Sequence, residues 1–365
     1  MNAKLSKLQR LLVEQELDAL LVTEKVTKRY LQTLDGSGCR VFLTATKGYL
    51  IVDGRYYEQA LALEHDLEIV LWNPQIEGVS YLQWISNFMA IHDLHRIGIE
   101  PTLSIDDYQT LQTFAEVVIL PDALIKLRML KDAVEIDKLK RAIALTDDIY
   151  AQVLTEIKVG MTDFEIAARL QYHAIAQGAT GMAFDTIIGL GERSAYPHAR
   201  PVGKRVEPNQ IILIDFGIIL DGFQSDMTRV CSIGEPAAEI KSLFTTVLAA
   251  NNAAIAAVKV GVKACEVDTV ARQVITDAGY GVYFTHGLGH GIGMDDATEL
   301  PKLNQENTLP LQAGMVFSCE PGIYIPNVGG IRLEDDIWLS AQGPIVLDQT
   351  PKDFQILQGD GQHET

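Results

Sequence analysis

Ile211-Ile212-Leu213-Ile214-Asp215-Phe216-Gly217, followed by Asp221-Gly222 and then Ser225-Asp226-Met227-Thr228, is the stretch on which the fold turns. Four aliphatic residues in a row read as a strand buried on both faces, and this strand ends in a carboxylate. Asp-Gly is a strong hairpin signal, because both central positions of the tight turn favour positive φ. The midpoint between Asp215 and Asp226 falls within about one residue of that turn, so the two acids should lie opposite or diagonal on neighbouring strands. A second hairpin repeats the pattern. Met315-Val316-Phe317-Ser318-Cys319 leads into Glu320, and Gly330-Ile331-Arg332-Leu333 leads into Glu334. Between them lies the turn-rich stretch Pro326-Asn327-Val328-Gly329-Gly330.

Working outward, the two hairpins belong to two halves that repeat. Val159-Gly160, Glu165 and Gly178 recur 101 residues later as Val260-Gly261, Glu266 and Gly279, and Asp215-Phe216-Gly217 recurs 105 residues later as Glu320-Pro321-Gly322. Each half reads as helix, glycine break, apolar strand, carboxylate. Buried acids held in pairs raise one another's pKa unless a cation is present. A single acid at an exposed strand end would need no such explanation; two symmetric pairs point to a cation site. Thr285-His286-Gly287-Leu288-Gly289-His290-Gly291-Ile292-Gly293 has four glycines in nine residues, too many for a helix, so it is not a zinc-binding H-E-x-x-H element. Its glycines imply close backbone approach, with one histidine as a ligand and the other as a neighbouring partner. Four carboxylates and one imidazole make a hard, oxygen-rich donor set, better suited to manganese and related divalent ions than to structural zinc. Two such ions nearly balance four carboxylates and one hydroxide.

Ahead of the repeat lies an α/β module. Leu17-Asp18-Ala19-Leu20-Leu21-Val22 reads as a strand, Val41-Phe42-Leu43-Thr44 and Tyr49-Leu50-Ile51-Val52 as a hairpin, and Ile69-Val70-Leu71-Trp72, Ile97-Gly98-Ile99 and Val117-Val118-Ile119-Leu120 as further strands. A charged stretch, Lys126-Leu127-Arg128-Met129-Leu130-Lys131-Asp132, marks the boundary, giving domains at 1–125 and 126–365. A long helix is expected over 132–157, with Ile136, Leu139, Ile143, Tyr150, Val153 and Ile157 as its apolar stripe. Thr162 and Glu165 fit a capping box for the next helix. The 365 residues, 47% hydrophobic and 21% charged, suit a two-domain globular protein. No apolar run approaches the ~20 residues of a membrane span. Residues 1–17 lack the unbroken apolar stretch of a signal peptide, and the four cysteines are widely spaced, so a reducing cytoplasm is the expected location. The net charge of −18 disfavours nucleic acid and anionic membranes as partners.

The motifs Leu213-Ile214-Asp215-Phe216-Gly217, Ser225-Asp226-Met227-Thr228-Arg229, the 286–293 segment, Cys319-Glu320-Pro321-Gly322-Ile323-Tyr324 and Gly330-Ile331-Arg332-Leu333-Glu334-Asp335 stand in the order found in the aminopeptidase P and prolidase group, which this sequence resembles. Asp53-Gly54-Arg55-Tyr56-Tyr57 resembles the creatinase-type N-terminal module of the same group. The resemblance implies an α/β (α+β) protein: a creatinase-type domain, then a pita-bread catalytic domain with an internal pseudo-repeat. It implies a metallopeptidase that cleaves Xaa-Pro bonds in dipeptides or short peptides through a metal-bridged hydroxide. Two divalent ions are expected, manganese first, with cobalt, zinc and iron as alternatives. Asp215, Asp226 and Glu334 would hold one, and Asp226, His290, Glu320 and Glu334 the other. Glu320 would also exchange protons as general base and acid. His198, in Tyr196-Pro197-His198-Ala199-Arg200-Pro201, would contact substrate, His286 would either back up the ligands from behind or orient substrate, and Arg332 would steady Glu334 or meet substrate. The group's habit is a homodimer.

One position departs from the pattern. A further histidine is expected seven residues after His290, where this chain has Ala297 in a stretch one residue longer than usual. Lys302 could supply a compensating charge for a dipeptide carboxylate. Two other readings compete with metal-dependent peptide hydrolysis: a catalytically weak binding protein that keeps the fold, and a metal-independent creatinase-like amidinohydrolase, whose relatives lack these ligands.

Overall fold

The computed structural model describes residues 3–73, 80–295 and 299–358, so Ala297 lies outside the described residues. Two compact units divide the chain, Met1–Arg128 and Met129–Thr365.

In the first unit, α1 (Ala3–Glu14) leads into β1 (Ala19–Val22), and α2 (Lys25–Tyr30) precedes the hairpin of β2 (Cys39–Thr44) and β3 (Gly48–Val52). Then come α3 (Tyr57–Ala62), β4 (Glu68–Leu71), α4 (Tyr81–Ile91), β5 (Arg96–Ile99), α5 (Ile105–Gln112), β6 (Glu116–Ile119) and α6 (Ala123–Met129). The strands form one mixed sheet in the order β4-β3-β2-β1-β5-β6. The hairpin read from the sequence pairs antiparallel with Phe42 opposite Tyr49. Central β1 is buried along its whole length, which accounts for its unbroken apolar run.

The second unit opens with α7 (Ala133–Leu154), capped by Asp132 and Glu135 in a reciprocal box; the expected apolar stripe is buried, and the helix stops a turn earlier than its pattern. The capping box of Thr162 and Glu165 starts α8 (Asp163–Ala176). Strands β7 (Gly181–Met182), β8 (Ile187–Leu190), β9 (Ile211–Phe216), β10 (Ile218–Leu220), β11 (Phe223–Gln224) and β12 (Met227–Ile233) follow. The second half supplies α9 (Ala238–Ala257), α10 (Ala264–Asp277), β13 (Val316–Cys319), β14 (Gly322–Ile325), β15 (Gly329–Arg332), β16 (Asp335–Ser340), β17 (Gly343–Val346) and β18 (Gln355–Leu357). The pseudo-repeat is visible in the backbone. Helices α8 and α10 both have 14 residues, and the matched glycines 160 and 261, like 178 and 279, all adopt positive φ.

Strand β9 lies between the two cores of this unit. Ile212, Ile214 and Phe216 face the core built on α7 and α8, while Ile211 and Leu213 face the one built on α9 and α10. By the period of two, Asp215 points to the side of Ile211 and Leu213. Each carboxylate hairpin is broken into two ladders rather than running as one. Strands β9 and β12 pair with Asp215 opposite Thr228, and β10 and β11 continue the same register, so Asp226 sits diagonal to Asp215. In the second half Cys319 pairs with Asp335 and Gly322 with Arg332, which sets Glu320 opposite Glu334 in the gap between the ladders.

Candidate metal centre

The two gaps and the glycine-rich segment meet at the foot of a cleft of about 1110 Å³. Ligand atoms of Asp226, His290 and Glu334 all lie within 4.8 Å of one another. The His290 Nε2 atom is 3.5 Å from Asp226 Oδ2 and 3.5 Å from Glu320 Oε1. Asp215 completes the group of acids but is turned toward Arg332, whose guanidinium bonds its Oδ2. Oδ1 of Asp215, Oδ1 of Asp226 and Oε1 of Glu334 are buried without a hydrogen-bond partner. Unsatisfied buried carboxylate oxygens cost several kcal/mol in order of magnitude unless something electropositive meets them. Together with an imidazole nitrogen they make a donor set that fits divalent cations.

The electrostatics agree. Burial, then the charges of Glu334 and Asp215, pushes Asp226 well above the usual carboxylate range. Burial and the charges of Glu320 and Asp215 do the same to Glu334. Glu320 is pushed up to about 7 by burial, with Arg332 opposing the rise. So many acids cannot ionise together here without added positive charge.

The glycines explain how His290 arrives. A Cβ on Gly289 would sit 2.1 Å from the Ser318 carbonyl oxygen, so the segment can pass β13 only without a side chain there. Two hydrogen bonds lock it to that strand: His290 N–H donates to Ser318 Oγ at 3.0 Å, and Ser318 N–H donates to the His290 carbonyl at 2.8 Å. His286 stands to one side. Its Nδ1–H donates to the Gly287 carbonyl, so Nε2 accepts from the Tyr324 hydroxyl, both at 2.8 Å. Burial and the nearby Arg332 charge push its pKa down to about 4, so the ring is neutral. His198 is exposed on the cleft wall, where Lys302 also lies.

Arg332 does not reach the Glu334 carboxylate directly. Its Nε donates to Thr228 Oγ1 at 3.0 Å, and Thr228 in turn donates to Glu334 Oε2 at 2.6 Å. Its other donors meet Asp215, the Pro197 carbonyl and the Tyr324 hydroxyl. Thr228, Ser318 and Tyr324 therefore tie the candidate ligands and Arg332 together by hydrogen bonds, a part that sequence reasoning did not give them. A signal existed for Tyr324: in the β14–β15 register it shares a face with Arg332, diagonal across the ladder.

Comparison with known proteins bears on this geometry. Residues 137–341 match the model of metallopeptidase family M24, and residues 4–130 match the creatinase/prolidase N-terminal domain. Among curated relatives, the Xaa-Pro dipeptidase of Pyrococcus furiosus is 32% identical over 97% of this chain and 100% of its own length. An uncharacterized peptidase of Bacillus subtilis is 33% identical over the same shares. Among solved structures, the Xaa-Pro dipeptidase from Bacillus anthracis superposes with a TM-score of 0.92 at 32% identity, covering 97% of this chain and 99% of that one. The X-Pro aminopeptidase from Thermotoga maritima gives 0.87 at 34% identity, covering 93% and 98%. The fold is thus a creatinase-type N-terminal domain followed by the pita-bread catalytic domain, and the chain belongs to metallopeptidase family M24.

Proposed function

We propose that this enzyme hydrolyses the Xaa-Pro bond of dipeptides or short peptides, with two divalent cations held by Asp215, Asp226, His290, Glu320 and Glu334. The observation that carries the reading is the convergence of acids with unsatisfied buried oxygens and one imidazole at the foot of a cleft. Relatives named for Xaa-Pro dipeptides and X-Pro peptides, similar over nearly the whole chain, support the substrate class. The oxygen-rich donor set favours manganese, with cobalt, zinc and iron as the other ions to test. Such ions, when bound, supply Lewis acidity that polarises a carbonyl and lowers the pKa of water.

The chain's own residues do the rest. Glu320 takes a proton from the attacking water at its carboxylate and returns it to the leaving proline nitrogen as the C–N bond breaks. His198, on the cleft wall, meets the substrate beside the scissile bond. His286, with both ring nitrogens hydrogen-bonded, shapes the cleft through Tyr324 rather than bonding substrate itself, and Arg332 steadies Asp215 directly and Glu334 through Thr228. The whole hydrolytic site falls within residues 126–365, and the enzyme is taken as a cytoplasmic homodimer, which light scattering and cell fractionation check.

The deciding experiment strips the protein of metal and restores manganese, cobalt, zinc or iron in turn, measuring proline release from Ala-Pro and cleavage of Ala-Pro-Ala. Turnover restored by metal is expected. Tight metal binding without cleavage of any proline peptide would overturn the reading and leave a binding protein.

A further inference from the structure

Helix α10, which packs on the second half from outside, directs an ion pair at the segment that carries the histidines. Asp268 is fully buried, and its Oδ1 accepts from the Leu288 N–H at 2.9 Å. One turn on, Arg272 bonds the same carboxylate twice, Nε to Oδ2 at 2.9 Å and an NH2 donor to Oδ1 at 3.0 Å. Its remaining donors reach the carbonyls of Phe284 at 2.9 Å and His286 at 2.8 Å. The guanidinium also lies 4.1 Å over the Phe284 ring, which meets the His286 ring edge-on at 5.2 Å. From Leu288 the chain of bonds goes one step further, because its carbonyl accepts from the Glu320 N–H at 2.8 Å.

An i,i+4 ion pair kept for helix stability alone would sit in solvent and contribute a few tenths of a kcal/mol. Here Asp268 is fully buried and Arg272 is 19% exposed, so desolvation offsets much of the attraction and the pair's net contribution to stability is small. Residues 284–288 need outside support for a different reason. The segment runs into Gly287, Gly289, Gly291 and Gly293, which have no side chains with which to hold a path. Arginine's planar fork can bind a carboxylate on one edge and two carbonyls on the other, which lysine cannot.

We propose that Asp268 and Arg272 are positioning residues for the hydrolytic site. They fix the backbone of residues 284–288 and, through it, the His286 ring and the Glu320 peptide. Neither lines the cleft. The inference rests on the functional reading above for its kinetic consequence, though not for its geometric one.

The test uses the full-length manganese-loaded enzyme with Arg272→Lys, Asp268→Asn and the double variant. In Arg272→Lys the ammonium still pairs with Asp268 but releases the two carbonyls. Its melting temperature should stay within a few degrees of the parent, while kcat on Ala-Pro falls on the order of 10- to 100-fold. Its KM and bound metal should change less than about twofold, because the effect is on orientation rather than on binding. The double variant should lose no more than the worse single variant, because the two side chains act as one unit. A second readout is independent of turnover: in metal-free protein, the ring-nitrogen NMR signals of His286 should shift in Arg272→Lys. Parent-like kcat with unmoved His286 signals would overturn the proposal, as would a loss of kcat fully accounted for by lost metal. If Asp268→Asn does not fold, Arg272→Lys alone decides. If the parent fails to cleave Ala-Pro, the functional reading falls and the NMR readout still decides this one.

Discussion

Arg332 bonds Asp215, Thr228, Tyr324 and the Pro197 carbonyl at once, so a single guanidinium ties an acid of the first half to the β14–β15 hairpin of the second. The Tyr324 hydroxyl carries that order onward by donating to His286 Nε2. Tyr324→Phe removes one hydrogen bond on each side without leaving a cavity. A lost bond of about 1 to 1.5 kcal/mol should lower kcat about tenfold, with metal content unchanged by elemental analysis. Lys302 lines the cleft wall, and the role proposed for it is to meet the carboxylate of a dipeptide. Lys302→Ala should raise KM for Ala-Pro about tenfold while affecting Ala-Pro-Ala differently; unchanged kinetics on both would remove that role.

At the scale of elements, the crossing of the glycine-rich segment over β13 is the tightest constraint. Gly289→Ala must move either the Ser318 carbonyl or His290. It should destabilise by about 1–3 kcal/mol in urea titration and weaken manganese binding in calorimetry. In the N-terminal unit, Asp18 joins β1 to β5 by accepting from the N–H groups of His95 and Arg96 at 2.7 and 2.8 Å. Burial raises its pKa, but these two bonds and the neighbouring charges outweigh burial, and the folded value is lowered. A lowered folded pKa means that the stabilisation is complete above the unfolded value of about 3.9 and is lost as pH falls through the folded one. Asp18→Asn should therefore cost about 1 kcal/mol at pH 7, and the gap to wild type should close below about pH 4 in chemical denaturation.

For the molecule as a whole, the acids brought together from both halves repel one another, so cations that bind only the folded state should stabilise it. Chelation should lower the melting temperature of the catalytic unit by about 5–10 °C, and manganese should restore it. Scanning calorimetry with and without chelator checks this; a transition indifferent to chelator and manganese would count against a cation site. No helix among the described residues is long and apolar enough to cross a membrane.

Much of this was legible in the sequence, because it depended on local rules. Aliphatic runs marked β1 and β9, Asp221-Gly222 marked the turn, the capping boxes marked α7 and α8, and the glycines recurring at 101 residues marked the repeat. Those features follow from backbone sterics and the period of side chains along a strand, which act over a few residues. The sequence also placed Asp215 beside Asp226 and Glu320 beside Glu334, since turn position nearly determines which residues oppose each other across a hairpin. Only the tertiary structure decided that each hairpin breaks into two ladders, that Arg332 bonds Asp215 and reaches Glu334 through Thr228, and that Asp268 and Arg272 support the histidine segment from outside. Contacts between residues a hundred positions apart depend on how helices and sheets pack, and no local pattern encodes that packing.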